Sequence, residues 1–132
     1  MAVPANSIAM TLDIDGTTIT CLLDVSISET VDVFDSACAG NTVKQKTVGQ
    51  SDVNMTVTFN RDDSDVTEEN ALRPGTAYTA LTFNPFGAGT GLVTITSTSG
   101  FISDVTGDYS TTANASGTRV IQMNDITYAL QP

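Results

Sequence analysis

The stretch "MTLDIDGTTIT", residues 10–20, has two readings, and the choice between them decides the fold. In one, Asp13 and Asp15 are a pair of chemical carboxylates set before a Gly-Thr step. In the other, Asp15-Gly16 is the two-residue tip of a hairpin, the strongest short signal for one. The flanks decide. Ile8, Met10, Leu12 and Ile14 alternate on one side of the dipeptide, and Ile19, Cys21, Leu23, Val25 and Ile27 alternate on the other. Period-two alternation places each set on one face of a strand. A strand–turn–strand follows.

The same alternation runs through most of the 132 residues. It recurs at Val53, Met55, Val57 and Phe59, then in "YTALTFN" from Tyr78, "GLVTITS" from Gly91, "FISDV" from Phe101 and a last strand from about Thr118 to Tyr128. About seven strands are predicted, with turns rich in Gly, Asn, Asp and Pro. Two stretches depart from the pattern. "SETVDVFDSACAGNTVKQKTVGQ", residues 28–50, reads as a long extended loop, far longer than a hairpin needs. "RDDSDVTEENALRPGT" holds a short helical connector, with Thr67 as candidate cap and Pro74-Gly75 as its stop. The fold class is therefore all-β: a sandwich or barrel-like domain. Nothing divides the chain, so residues 1–132 are expected to form one domain.

Composition narrows the function. Five Lys and Arg against fifteen Asp and Glu give a net charge of −10, which repels a phosphate backbone. There is no His, the usual base at neutral pH. A Ser–Lys pair would need Lys44 or Lys46, and no local pattern sets a Ser beside either. No apolar run is long enough to span a membrane. The start "MAVPANSIAM" lacks the basic and apolar regions of a signal peptide, so the sequons at Asn54 and Asn114 read as chance matches. Cys21 reads as a small buried hydrophobe and Cys38 as a loop residue; a disulfide between them has no supporting framework. No metal and no cofactor is indicated. The acidic run from Asn60 to Asn70 lacks the sixth-position Gly of an EF-hand loop.

"DIDGT" resembles the signature of haloacid-dehalogenase-type phosphatases, which would make Asp13 the nucleophile and Asp15 the general acid. That chemistry needs a helix after the motif to present N–H groups to the phosphoryl oxygens. Here "TTITCLL" follows, a strand. The hairpin reading stands, and no enzyme activity is expected.

A second resemblance rests on the order and spacing of features from about residue 17 to 130. A strand runs into "DVSISETVDVFDSACAG". "KTVGQSDVNMTVTFN" returns. A helical connector ends in "LRPGTAYTALTFNPFG", and "GLVTITSTSGFISDVTGDYSTTANASGTRVIQMNDITYAL" closes the chain. This order resembles phage tail tube proteins. The resemblance implies a β-sandwich with one helix, hexameric rings that stack into a hollow tube, a long loop that reaches the neighbouring ring, and a negative lumen through which DNA passes without specific binding. It implies a virion protein, assembled in the host cytoplasm beside other tail proteins. Other β-rich functions are a capsid decoration or head–tail joining protein, and a carbohydrate-binding sandwich; three Tyr and no Trp argue against the last.

The residues themselves point to self-association. Val31, Val33 and Phe34 would be exposed on an isolated loop. Lys44 and Lys46 lie two apart in an extended segment and point the same way, toward carboxylates on another subunit. These five are the expected inter-subunit contacts.

Overall fold

The computed structural model describes residues 9–19, 21–36, 40, 43, 45–61 and 66–132. Among them are ten strands and one short helix. The strands are β1 (Thr11–Ile14), β2 (Thr17–Thr18), β3 (Leu22–Ser36), β4 (Gln45–Asn60), β5 (Ala77–Tyr78), β6 (Leu81–Asn84), β7 (Val93–Ser97), β8 (Gly100–Asp108), β9 (Ser116–Met123) and β10 (Thr127–Leu130). The helix α1 (Val66–Ala71) lies between β4 and β5. Two antiparallel five-stranded sheets face each other: sheet A in the order β10-β7-β6-β1-β2, sheet B in the order β3-β4-β9-β8-β5. The architecture is an open sandwich, not a closed barrel.

The hairpin reading of Asp15-Gly16 holds. Ile14 pairs with Thr17 and Asp13 with Thr18, so Asp15 and Gly16 alone form the turn. Both have positive φ, 50° and 83°, as a type I′ turn requires. Leu12 and Ile14 go inward and meet Phe83 and Ile95 from the same sheet, while Met55, Val57, Phe59, Ile102 and Ile121 close the core from sheet B.

The structure differs from the sequence reading in four places. First, residues 28–50 are mostly not a loop: β3 and β4 stay paired out to Ser36 and Gln45. Second, two expected strands each divide between sheets. Tyr78 belongs to β5 in sheet B and Leu81 to β6 in sheet A; likewise β9 and β10 part at Asp125. Third, Cys21 is exposed. It has φ 55°, and a register irregularity between Leu22 and Asp24 shifts the parity, leaving Leu22 partly buried and Leu23 exposed. Bulges have this effect because one extra residue flips every later side chain. Fourth, α1 begins at Val66, so Thr67 lies inside the helix.

Candidate assembly surface

Strand β9 covers β4 only from Val53 to Asn60. Among the described residues the earlier part of β4 therefore has β3 as its only strand neighbour, and the two form an arm about eight residues, or roughly 25 Å, long beyond the sheet. An irregularity between Val31 and Val33 sets Gly49 and Gln50 opposite Asp32 alone, and such a bulge sharpens the local twist. Gly49 is required there. A Cβ on it would come within 2.5 Å of the Phe34 ring and 2.9 Å of the Asp32 side chain. Phe34 thus lies on its own arm, over Gly49, and not in the core; it remains 60% exposed.

By strand parity, Val31, Val33 and Asp35 continue the core-facing side of β3, past the point where sheet A ends. Val33 stands opposite Val48 and Asp35 opposite Lys46. Val33 is 57% and Val48 73% exposed. The arm is an apolar shelf that none of the described residues covers. Of the five expected contacts, Val31, Val33, Phe34 and Lys46 lie on this arm; Lys44, like Cys38, falls outside the described residues.

At the foot of the arm the two sheets are tied. The Tyr128 hydroxyl, from edge strand β10 of sheet A, donates to Glu29 Oε2 on edge strand β3 of sheet B at 2.8 Å. Partial burial, and then the neighbouring carboxylate, push the Tyr128 pKa up. Ninety-nine residues separate the pair, so no local pattern announces it.

The opposite side of sheet B is held by charge. Arg119, on the core-facing side of β9, is 1% exposed. Its Nη2 donates to Glu69 Oε2 of α1 at 2.9 Å, and its Nη1 to the carbonyls of Thr106 and Thr118. Arg61 reaches the other Glu69 oxygen at 2.6 Å and stacks on the Tyr109 ring. One carboxylate thus clamps the helix between two guanidiniums.

Two further carboxylates work as staples. Asp15 Oδ1 accepts from the N–H groups of Thr79 and Ala80 at 2.9 Å and from the Thr79 hydroxyl at 3.1 Å. These bonds, led by the Thr79 N–H, lower its pKa. Asp125 accepts from the Thr98 hydroxyl at 2.7 Å, from the N–H groups of Thr98 and Ser99, and from the Ser97 hydroxyl. Its pKa is lowered too, chiefly by the Thr98 hydroxyl. With the Ser97 hydroxyl donating to Asp125, buried Tyr78 donates to Ser97 at 2.7 Å and joins the two sheets. The aspartate that resembled a catalytic acid is therefore a turn lock. Among the described residues no group of three His, Cys, Asp or Glu is placed to hold a metal ion, and no helix is long and apolar enough to cross a membrane.

The solvent side of sheet B presents hydroxyls and amides at its centre, among them Ser26, Thr56, Thr118 and Gln122, and Asp24, Asp52, Asp104 and Asp108 toward its margins. Among the described residues it carries no Lys or Arg.

No protein-family model matches the sequence, and no curated protein matches it. Solved structures do. A chain of the PVC sheath–tube complex, from an extracellular contractile injection system in its extended state, shares 17% identity at a TM-score of 0.73, covering 97% of this chain and 93% of that one. A chain of the anti-feeding prophage tube-terminating cap shares 13% identity at 0.72, over 99% and 94%. A chain from the tail of an empty gene transfer agent particle, refined helically with C6 symmetry, shares 15% identity at 0.69, over 99% and 100%. The fold is that of tail and injection-tube proteins. The likeness spans nearly the whole of each chain.

Proposed function

We propose that this chain is a tube subunit of a tail, which closes into six-membered rings that stack into a conduit for phage DNA. The observation that carries the reading is the whole-length match to chains of tail and tube assemblies, one of them refined with six-fold symmetry. The geometry supports it. Sheet B has two open edges. Among the described residues, β3 is unpaired on its outer side, and β5 covers β8 only at Gly100 and Phe101, leaving Asp104–Asp108 open. An open edge invites another strand. Edges on opposite sides of one sheet make a head-to-tail contact, and such contacts build closed rings. The exposed arm, through Val31, Val33, Phe34 and Lys46, reaches a neighbouring subunit, and the sequence adds Lys44 to these contacts. A sheet B face without cations would line the lumen and leave passing DNA no counter-charge to hold it. The work of such a protein is mechanical and electrostatic, not catalytic. Its place is the virion, assembled in the bacterial cytoplasm beside other tail proteins.

A second reading is favoured by the likeness to tube-terminating proteins, at TM-scores of 0.74 and 0.72. A terminator forms one ring and does not propagate. Negative-stain imaging of the purified protein decides. Stacked rings or tubes support the tube subunit, single rings that never stack support the terminator, and monomers at every concentration contradict both.

A further inference from the structure

The ring reading leaves an electrostatic difficulty at the junction between copies. The β3 edge carries Asp24, Glu29 and Asp32, and the open part of β8 carries Asp104 and Asp108. Joining these edges brings acid against acid. A stable junction needs a cation at one of them.

Arg73 is at that position. Of the five basic residues, Arg61 and Arg119 are engaged with Glu69 inside the subunit, and Lys46 is out on the arm beside Asp35. Lys44 is outside the described residues. Arg73 is exposed, on the turn between α1 and β5, and pairs with no carboxylate among the described residues. The backbone holds that turn firmly on the β8 side. Thr76 N–H donates to the Arg73 carbonyl at 3.1 Å, Gly75 N–H to the Ile102 carbonyl at 2.7 Å, and Ile102 N–H to the Thr76 carbonyl at 3.0 Å.

The strand register sets its level. Ile102 lies opposite Ile121, Ile121 opposite Met55, and Met55 opposite Ile27. The Arg73 turn is thus level with Ile27, between Asp24 and Glu29, on the opposite edge of the same sheet. Asp24 is exposed on the solvent side of the strand, whereas Glu29 lies on the other face, where Tyr128 holds it.

We propose that Arg73 is the anchor of the ring contact: its guanidinium meets the β3-edge carboxylate Asp24 of the next copy. The contact is heterologous, with cation on one edge and anions on the other, so it fixes the direction in which copies add. A planar fork of donors holds a carboxylate bidentately, as a single ammonium does not. This inference rests on the ring reading, and the experiment separates the two.

The test uses the full chain and measures, by light scattering and imaging, the concentration at which rings first form. Circular dichroism and thermal unfolding confirm that each variant folds, as expected for an exposed side chain. Arg73→Glu should raise that concentration about tenfold or more, the effect of setting like charges across an interface. Adding Asp24→Arg to Arg73→Glu should restore assembly, while Asp24→Arg alone should impair it. Rings from Arg73→Glu at the wild-type concentration would overturn the proposal. Lost assembly that the swap does not restore would overturn the pairing with β3. Wild type that never forms rings would instead overturn the ring reading beneath it.

Discussion

The sandwich body and the β3–β4 arm are built from the same two strands, yet they obey different rules. In the body, Met55, Val57 and Phe59 are closed over by sheet A and are nearly inaccessible to water. In the arm, Val31, Val33 and Val48 lie on the same side of the sheet, and no described residue covers them. The difference is not in strand propensity. It is whether a second layer of the same chain lies opposite. The body therefore buries its own apolar face, whereas the apolar residues of the arm stay exposed, as the proposed assembly requires.

The largest effect should fall on the body. Met55→Ala removes a side chain with 0% exposure and should cost about 2–5 kcal/mol, by lost transfer energy and the cavity left behind. Glu69→Ala should cost about 3 kcal/mol, because buried Arg119 loses its carboxylate. Val33→Ala on the arm should change monomer stability by less than about 0.5 kcal/mol. Urea unfolding of the three variants checks the contrast, and a Val33→Ala as damaging as Met55→Ala would erase it.

The opposite asymmetry should appear in assembly. Val33→Asp with Val48→Asp should leave the melting temperature of the monomer nearly unchanged and abolish tube formation. Sedimentation beside thermal unfolding reads both quantities, and tubes formed at the wild-type concentration would show that the arm is not the contact.

A pH titration sharpens the account of the body alone. Asp15 and Asp125 have lowered folded-state pKa values. Their staples therefore contribute stability that is fully present above the unfolded value, about 3.9, and lost as pH falls through the lower folded value. Asp125→Asn should be less stable than wild type at pH 7, and the gap should close below about pH 4. A gap that is constant with pH would mean that the carboxylate charge is not what holds the turn.

Salt has the smallest expected effect. Each subunit carries a net −10, so assembly crowds like charges. Screening over about 10 Å at 0.1 M should promote assembly from low to moderate salt, while apolar contacts at Val33 and Phe34 hold it at high salt. Light scattering across a salt series that falls steadily would show that the lysine and arginine pairs outweigh the repulsion.

Much of the body was legible in the sequence, because a strand with one buried face writes its parity into the residue order. Val53 through Phe59 and the Asp15-Gly16 turn are read directly. Arg119 was legible in principle: it shares its face with Ile121 and Met123, the mark of a cation taken into the core, although its partner Glu69 lies fifty residues away. The arm was not legible as paired strand. Where neither face is buried, hydrophobic alternation weakens, and "SETVDVFDS" with "KQKTVGQS" reads as loop. The division of two expected strands between sheets was hidden for another reason. It depends on Asp125 and its neighbours bending the chain, a tertiary arrangement that strand propensity does not encode. Of the candidate contacts, the apolar set on the arm came from the sequence, while Tyr128–Glu29 and the role of Arg73 needed the register of the sheet.

The most direct test is hydrogen exchange, residue by residue, on the free subunit and on the assembled particle. The account predicts weak protection of residues 28–36 and 45–50 in the free subunit, strong protection of the same residues after assembly, and little change at Val53–Phe59 and Thr118–Met123. Equal protection of the arm in both states would contradict it.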